Sequence, residues 1–577
     1  MKVRTKTWAW GAASLLPVGL ALGIATAGEG QGAAAIVAAL GGSPAQAQSI
    51  PTAPMVLGTQ THMSQGWPSS TIDIVRKTGA PMIRDSVPWT SNEKVRGVYD
   101  FSGSGATAIS RACAAGLKVI ATLPPMNPLY DGGYFTYTDT GKLAYARYIE
   151  AVLKRFGSCI AAIEVGNEIN GASAPEWYAA GVDPTTNYVS LLAFVSNQVR
   201  GKYPVKILGG STNMIGTGFL EKLFAAGMLP LVDAVAVHPY RMDAHSVDFE
   251  IANLYAVMRA YGTPVPIWAT EWSHDTTDQT FAAGELLKMV ALMSASGVER
   301  ASWYALLDQT AFPNMGLYAA GAVPKRQALA YQFVQANLVN QGRAVRVDLG
   351  DPLLFAYRFG TSRYLIWGAP RTITISGGQA YNSIGQAIAG TTIPVGSLPV
   401  ALIGGSIASV GDSNMLADSQ MGYGSSQWSY WAQTGTTKPV NYPIGIVNDW
   451  YTSYYSGSRF KPMRINMDSG AAGGNAVGPI RAVMRYVSPV AQQADITACL
   501  TKKVKGDGVD YSISVNGRVL ASGVTLSDTT IPAISVDLAA GDKVELVVGP
   551  NQTFGGDVFG YRMSLFRRGK SQQVVCR

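Results

Sequence analysis

The chain has 577 residues, of which 47% are hydrophobic and only 14% are charged. It is longer than one compact core requires, so we expect several domains, and this composition excludes an intrinsically disordered protein. The formal net charge is +8. Lysine and arginine are nevertheless scattered and form no long basic run, so the sequence predicts no nucleic-acid partner.

The N-terminus has the composition of an export signal. Lys2, Arg4 and Lys6 come first, an apolar stretch follows, and small residues then offer cleavage after Ala47 or, as the alternative, after Ala27. We therefore predict a signal peptide over residues 1–47 and an exported protein, periplasmic or extracellular. An uncleaved membrane anchor is the other interpretation of this segment. No later stretch is apolar enough to span a bilayer, so we expect no membrane span in the mature chain.

Eight short apolar runs follow one another between residues 54 and 309. They are PMVLGTQTHM (from 54), PMIRDSVPW (81), KVIATLPP (118), AAIEVGNEIN (161), VKILGGSTN (205), AVAVHPY (234), PIWATEWS (266) and ASWYALLDQ (301). The stretches between them are amphipathic; Leu143, Ala146, Ile149 and Leu153, for example, recur at helical spacing. This alternation predicts an α/β fold, a (β/α)8 TIM barrel over residues 50–342, with an open doubly wound sheet as the alternative.

Polar and aromatic residues stand at the carboxyl ends of most of these predicted strands. In strand order they are His62, Arg84 and Asp85, Asn167 and Glu168, Asn213, His238 and Tyr240, Glu271, and Trp303 with Asp308. Because the carboxyl ends of barrel strands form one mouth, we expect these side chains to converge on an active site.

Glu168 and Glu271 would face each other across that mouth, since they follow the fourth and seventh strands. Glycosidic bond cleavage needs such a pair: one carboxyl group protonates the departing oxygen, and the other attacks the anomeric carbon or activates water. Asn167 could donate a hydrogen bond to the sugar hydroxyl beside that carbon. Glu164 is expected to lie buried below the site as the partner of a barrel arginine.

The stretches IEVGNEIN (163–170) and ATEWS (269–273) are similar to strands four and seven of the clan A glycoside hydrolases, and most similar to family 39. That family includes β-xylosidases, α-L-iduronidases and bacterial glycosidases that cut exopolysaccharide. The resemblance implies that Glu168 is the acid/base and Glu271 the nucleophile of a retaining double displacement. Gly166 and Ile169 stand where family 39 usually has Trp and Pro.

Further residues are candidates for substrate binding. Some match supporting positions of the clan and others stand beside the mouth; together they are Asn167, His62, Arg84, His238, Tyr240, Trp272, Trp303 and Asp308. Asp308 could equally cap a helix or hold a loop. The four histidines form no His-x-x-x-His pair, so we expect neither a metal nor a cofactor.

Loop aromatics suggest an extended cleft. They are Trp67, Tyr130, Tyr134, Phe135 and Tyr137. Sugar rings stack on such side chains, although packing of the loops would use them equally well. An extended cleft would favour cleavage within a polysaccharide chain.

After residue 342 the sequence pattern changes to short predicted strands in which apolar and polar residues alternate, as in RTITIS and LLFAYRFG. Since family 39 members often carry a β-sandwich on the barrel, we predict a small one over residues 343–407, packed on the barrel. A second β-sandwich is expected over residues 408–577, with a hairpin at VNGR. Its aromatics could bind carbohydrate or form its core; they are Trp428, Tyr430, Trp431, Trp450, Tyr451, Tyr454 and Tyr455.

Export would permit disulfide bonds among the four cysteines. Three pairings are possible, and the long gap between Cys159 and Cys499 favours Cys113 with Cys159 and Cys499 with Cys576; buried free thiols are the alternative.

The sequence therefore predicts an exported, monomeric, retaining glycoside hydrolase. We expect a β-linked polysaccharide substrate, cleaved internally, in a bacterial exopolysaccharide. An exo-acting β-xylosidase-like enzyme and a non-catalytic polysaccharide-binding or assembly protein are the alternatives.

Overall fold

The computed structural model describes residues 53–171, 174–476, 478–555 and 557–576. The predicted signal peptide, residues 1–47, lies outside the described residues. Within them, no helix is long and apolar enough to cross a membrane.

Eight parallel strands close into a barrel in chain order, because the last strand pairs with the first. They are β1 (Val56–Gln60), β2 (Met82–Ser86), β3 (Lys118–Leu123), β4 (Ile160–Val165), β5 (Lys206–Asn213), β6 (Ala234–His238), β7 (Ile267–Trp272) and β8 (Val298–Trp303). Each strand overlaps one of the eight apolar runs. The predicted barrel is therefore confirmed, and the open sheet is excluded.

Helices follow each strand and cover the outside of the barrel. They are α1 (Thr71–Thr78), α2 (Trp89–Asn92), α3 (Ser104–Ala114), α4 (Asp139–Phe156), α5 (Pro184–Val199), α6 (Thr217–Ala225), α7 (Val247–Tyr261), α8 (Gln279–Ala295) and α9 (Arg326–Asn337). Local chemistry sets some of their ends: the hydroxyl of Thr138 accepts a hydrogen bond from the backbone N–H of Gly141 at the start of α4.

Two apolar layers hold the barrel together, since successive side chains of a strand point to opposite faces. Inside, the lower barrel is filled by Met82, Ile120, Leu208 and Trp268 with small alanines. Outside, a much larger cluster joins the strands to the helices. That outer cluster includes Trp367 of the next domain, so the domain after the barrel shares its core.

The first β-sandwich follows α9 and has two sheets, one of six strands and one of three. Two short strands, β9 (Tyr318–Ala319) and β10 (Val323–Pro324), precede α9. The sandwich strands are β11 (Ala344–Val347), β12 (Leu354–Phe359), β13 (Arg363–Gly368), β14 (Arg371–Ser376), β15 (Gln379–Tyr381), β16 (Ala387–Ile388), β17 (Thr392–Val395), β18 (Val400–Ile403) and β19 (Ser406–Val410). The last strand continues past the predicted boundary at residue 407 to Val410.

The second β-sandwich has two larger sheets with their own apolar core. Its strands are β20 (Met415–Asp418), β21 (Trp428–Thr434), β22 (Val440–Pro443), β23 (Gly445–Asn448), β24 (Ser453–Ser456), β25 (Arg464–Ile465), β26 (Ser469–Ala471), β27 (Gly473–Asn475), β28 (Gly478–Val487), β29 (Gln492–Lys502), β30 (Val509–Val515), β31 (Arg518–Thr525), β32 (Thr529–Leu538), β33 (Lys543–Gly549) and β34 (Val558–Arg567). The predicted hairpin joins β30 to β31 through Asn516 and Gly517, which both have positive φ angles, as such a two-residue turn requires.

Two disulfide bonds join Cys113 to Cys159 and Cys499 to Cys576. These are the two pairs that the sequence favoured, and neither pair is left as free thiols.

Candidate active site

The turn after β4 carries Asn167 and Glu168 to the mouth of the barrel. Gly166 has a φ of 85°, and a Cβ there would lie 2.7 Å from the side chain of Ile169, so a larger residue does not fit. Glu168 itself has a φ of 45°, a conformation that L-residues other than glycine adopt at a cost. The departure from the family pattern at residue 166 thus has a local structural reason.

An irregularity in β7 brings Glu271 to the same mouth. Thr270 Oγ1 donates to Glu164 inside the barrel over 2.7 Å. The next residue, Glu271, also reaches an interior group, Arg84. Two successive residues can contact the interior because the register between β7 and β8 shifts between Ala269 and Trp272.

The two carboxylates are close neighbours. One oxygen of Glu168, one oxygen of Glu271 and a ring nitrogen of His238 all lie within 4.8 Å of one another. The side chains of Glu168 and Glu271 remain 13% and 9% exposed, whereas the His238 ring is fully buried. The pair is therefore open to the cleft from above and supported from below.

Arg84, on β2, joins the parts of the site. Its guanidinium donates to Glu164 Oε2 over 2.5 Å, to Gln60 Oε1 over 2.9 Å and to Asn167 Oδ1 over 2.6 Å, and it also donates to Glu271 Oε1. Burial alone would lower the pKa of Arg84, but the charges of Glu164 and Glu271 outweigh burial and raise it. A permanently charged arginine thus fixes the carboxylate of Glu271 and the amide beside Glu168.

Glu164 has the supporting role expected from the sequence. Its side chain is fully buried and pairs with Arg84, and it also accepts hydrogen bonds from Thr122 and Ser211 over 3.1 and 2.9 Å. Burial would raise the pKa of Glu164, but the guanidinium of Arg84 and the His238 ring hold it well below its usual range. A buried carboxylate with this many partners stays ionised.

Tyr240 is the second partner of Glu271. Its hydroxyl donates to Glu271 Oε2 over 2.7 Å. Burial and the charge of Glu271 raise the pKa of Tyr240 well above its usual value, so the proton stays on the phenol. Both oxygens of Glu271 therefore accept hydrogen bonds, one from Arg84 and one from Tyr240.

His238 lies between the two carboxylates. Its Nδ1 is 3.0 Å from Glu168 Oε1 and 3.6 Å from Glu271 Oε2, and its Nε2 is 3.7 Å from Glu164. Burial alone would lower the pKa of His238. The negative charge of Glu271, with the neighbouring carboxylates Glu164 and Glu168, outweighs burial and raises the pKa to about 9. The ring is therefore an imidazolium at neutral pH.

His62 lies at the edge of the site, with its ring edge-on to those of Trp67 and Tyr304. Burial lowers its pKa to about 4, although the charge of Glu271 acts in the other direction. His62 is thus neutral, in contrast to His238.

Two of the predicted substrate contacts are wrong. Trp272 and Trp303 are 0% exposed and pack edge-on against each other in the outer cluster. The reason is strand geometry, because both side chains point away from the barrel interior. On the outer face of the strands they are covered by helices and cannot meet a sugar. Trp303 instead donates its indole N–H to the backbone oxygen of Met315.

Asp308 holds a loop, as the alternative interpretation of this residue predicts. Its carboxylate accepts from Lys325 Nζ and from the backbone N–H of Gly316 over 2.9 and 2.8 Å. The substrate-binding prediction for Asp308 therefore has no geometric support.

The aromatic residues predicted to bind sugar differ in their exposure to solvent. Among the loop aromatics, Tyr130 and Phe135 are buried, whereas Tyr134 is 44% exposed. In the second sandwich, Trp428, Tyr430 and Tyr454 are buried, so they form core and no exposed platform for glycan.

Three site residues were not among the predicted contacts. Gln60 accepts from Arg84, Asn213 donates its amide to Glu168 Oε1 over 3.0 Å, and Tyr304 contacts the rings of His62 and Tyr240. Gln60 is the last residue of β1, so its position at a strand end is a usable signal in the sequence. Asn213 was recognised as a strand end without being given a role.

A divalent metal would find three ligand atoms here, on Glu168, His238 and Glu271, the one such group among the described residues. It would have to displace a proton from His238, whose pKa is raised to about 9, and would lie beside the Arg84 guanidinium. Metal binding would therefore compete with the proton on His238.

Residues 185–325 match the family model described as the glycosyl hydrolase catalytic core. This segment runs from α5 to the start of α9 and includes Glu271, His238 and Tyr240. A comparison with the curated proteins finds no match.

Several solved structures are similar. A family 39 glycoside hydrolase from the gut symbiont Bacteroides cellulosilyticus WH2 has a TM-score of 0.51 and 20% sequence identity, over 61% of this chain and 81% of that chain. The exo-beta-1,4-mannosidase Op5Man5 from Opitutaceae bacterium strain TAV5 has a TM-score of 0.39 and 17% identity, over 49% and 59%. The β-glucuronidase of Bacteroides uniformis has a TM-score of 0.38 and 11% identity, over 89% and 65%. The first of these likenesses confirms the fold that the resemblance to family 39 implied.

Proposed function

We propose that this glycoside hydrolase catalytic core cleaves β-linked polysaccharide by double displacement, with retention of the anomeric configuration. The observation that carries the proposal is the spacing of the carboxylates, since one oxygen of Glu168 lies within 4.8 Å of one oxygen of Glu271. Carboxyl groups about 5 to 5.5 Å apart are typical of retaining enzymes, whereas inverting enzymes need about 6.5 to 9.5 Å to admit a water molecule.

Glu271 is the nucleophile in this proposal. Arg84 and Tyr240 donate to its two oxygens, which orients the carboxylate for attack. One of its oxygens attacks the anomeric carbon, and the bond from that carbon to the leaving oxygen breaks. The product of this step is a glycosyl ester on Glu271.

Glu168 is the acid/base. Its Oε1 accepts from Asn213 and lies 3.0 Å from His238 Nδ1, which leaves Oε2 for the substrate among the described contacts. The protonated carboxyl group gives its proton to the leaving oxygen. The resulting carboxylate then takes a proton from the water that attacks the anomeric carbon, and Glu271 departs with its original charge.

Asn167 is placed to bind the hydroxyl beside the anomeric carbon. Its Oδ1 accepts from Arg84 over 2.6 Å, which orients the amide so that its NH2 group can donate to the sugar. A hydrogen bond at this hydroxyl strengthens in the transition state.

Other features of the protein favour the finer assignments. The exposed ring of Tyr134 at the loop tips favours a polysaccharide cleaved internally. Export fits the two disulfide bonds, which persist in oxidising compartments, and an exported enzyme of this kind would meet a bacterial exopolysaccharide. We propose that the protein acts there as a monomer.

Azide rescue tests the two roles separately. With a β-glycosyl substrate that carries a reactive leaving group, Glu271→Ala should be inactive and should form an α-glycosyl azide with added azide, which enters the vacated face. Glu168→Ala should instead give the β-glycosyl azide from the glycosyl ester. Glu221→Ala, on α6 outside the barrel, is the matched control and should behave as the wild type. The same azide anomer from both active-site variants would overturn the retaining assignment.

Product analysis tests the substrate class. The wild type and Glu271→Gln are incubated with a panel of β-linked polysaccharides, and product lengths are measured. Long oligosaccharides from the wild type alone are the expected result. Release of monosaccharides only would replace internal cleavage by exo action, and no product from any glycan would favour a polysaccharide-binding protein.

A further inference from the structure

A hairpin of the second β-sandwich reaches the barrel mouth. β23 and β24 are joined by residues 449–452, which we call the docking loop, and the backbone N–H of Asp449 donates to the oxygen of Thr452 over 3.0 Å. Trp450 and Tyr451 are therefore the two residues at the hairpin tip. The loop belongs to a different domain from every catalytic residue described above.

The docking loop lies directly against the barrel backbone. The N–H of Gly218, in the first turn of α6, donates to the oxygen of Asp449 over 3.0 Å. A Cβ on Gly216 would lie 2.7 Å from the Trp450 oxygen, and one on Gly218 would lie 2.8 Å from the Asp449 oxygen. Two glycines thus permit the close approach.

Trp450 anchors this contact. Its indole N–H donates to the backbone oxygen of Asn170 over 2.7 Å, and the Asn170 amide donates to the Trp450 oxygen over 3.0 Å. The ring packs edge-on against Phe219, with centroids 4.7 Å apart, and under Lys222. A tryptophan held at both ends fixes the position of the next residue, Tyr451.

A short chain of hydrogen bonds leads from the docking loop to the acid/base. The Asn170 side chain accepts from the backbone N–H of Asn213 over 2.8 Å, and the Asn213 amide donates to Glu168 Oε1 over 3.0 Å. The loop therefore lies on the Glu168 side of the cleft.

Tyr451 lies at the Glu168 side of the cleft. Its side chain is partly exposed, unlike the buried Tyr454 that follows it on β24. Burial and the charge of Glu168 raise the pKa of Tyr451, which supports its proximity to that carboxylate.

We propose that the docking loop forms the leaving-group side of the catalytic cleft, with the ring of Tyr451 against the departing sugar. The reason is chemical as well as geometric. The acid/base protonates the leaving oxygen, so a side chain on the Glu168 side of the cleft meets the sugar that departs. An aromatic face there gives the sugar an apolar surface on which to stack. This inference rests on the proposed function.

Two kinds of substrate separate this role from a structural one. β-Linked trisaccharides of glucose, xylose and mannose carry a sugar leaving group, whereas the β-glycosyl fluorides of the same sugars have no departing sugar. For the sugar that the wild type accepts, Tyr451→Ala should lower kcat/KM for the trisaccharide about tenfold and leave the fluoride within about twofold. Tyr451→Phe, which keeps the ring, should lose much less. Tyr261→Ala, an exposed tyrosine at the far end of α7, is the matched control and should change neither value.

Each other outcome is informative. Equal losses on trisaccharide and fluoride would mean that Tyr451 only supports the fold, and no loss on either would place it outside the cleft; both results overturn the inference while leaving the glycosidase intact. A wild type that cleaves neither probe for any of the three sugars would overturn the proposed function and this inference with it.

Discussion

Asn170 and Trp450, which are 280 residues apart in the chain, hydrogen-bond to each other in both directions. Asn170 follows Glu168 by two residues, and Trp450 is at the hairpin tip of the last domain. This reciprocal pair makes the second β-sandwich part of the active-site architecture, because Asn170 also holds Asn213, the amide donor to Glu168.

Removing the indole N–H should therefore weaken acid catalysis selectively. Trp450→Phe keeps the ring packing against Phe219 but loses the bond to Asn170, a contribution of about 1 kcal/mol. We expect kcat for an oligosaccharide to fall about fivefold while kcat for the glycosyl fluoride, which needs no proton, is retained. The control is Trp431→Phe, whose indole donates to Ser429 within the sandwich. Equal losses on both substrates would mean that Trp450 does not position Glu168.

Replacing Arg84 by lysine should damage both activity and stability. Lysine keeps the charge but cannot donate at once to Glu164, Glu271, Asn167 and Gln60 in the fixed geometry of a guanidinium. We expect kcat/KM to fall at least about a hundredfold. The free energy of unfolding should fall by about 3 kcal/mol, since buried Glu164 loses its partner. Urea denaturation and steady-state kinetics measure the two effects, and a fully stable Arg84→Lys variant would contradict the account of Glu164.

The pH profile should report His238. Because its folded pKa is raised to about 9 from 6.5, its contribution to stability is complete below pH 6.5 and is lost as pH rises through 9. Loss of the imidazolium removes the positive charge that lies 3.0 Å from Glu168 and 3.6 Å from Glu271, so kcat/KM should fall above pH 9. His238→Gln should remove that alkaline limb while lowering activity throughout. A limb that persists in His238→Gln would have to arise from another group.

Asp557 should make the second β-sandwich sensitive to pH. Both of its carboxylate oxygens are buried without a hydrogen-bond partner among the described residues, and burial with the charges of Asp507 and Asp510 raises its pKa to about 7. The folded state therefore prefers the protonated acid. Stability from this group is present below pH 3.8 and is lost as pH rises through 7.

Asp557→Asn should accordingly raise Tm relative to the wild type at pH 8 and leave it nearly unchanged at pH 4, as measured by calorimetry. The control is Asp528→Asn, on an exposed loop, which should change Tm at neither pH. If Ca²⁺ raised the Tm of the wild type but not that of Asp557→Asn, the carboxylate would instead bind a cation in its charged form.

Trp272 and Trp303, the two wrongly predicted substrate contacts, show what the alternation of side chains along a strand can and cannot predict. Arg300 stacks over Trp268 inside the barrel. Because side chains alternate between the two faces of a strand, Trp303, three residues later on β8, points to the outer face. This orientation can be predicted from the sequence by counting residues along the strand. The case of Glu271 is different. Strict alternation from Thr270 would point it outward, and only the register shift in β7 brings it to Arg84. A local register shift of this kind cannot be predicted from the apolar residues of the strand alone.

The sequence by itself determined the barrel and the two carboxylates at its mouth. Eight continuously apolar runs can be buried only in a helix-covered parallel sheet, and parallel strands bring their carboxyl ends to one edge. The tertiary structure alone decided which groups hold those carboxylates and which domain completes the cleft. Arg84 meets Glu271, and Trp450 meets Asn170, through the twist of the barrel and the docking of a separate sandwich. Such contacts depend on packing between distant segments, for which local periodicity carries no information.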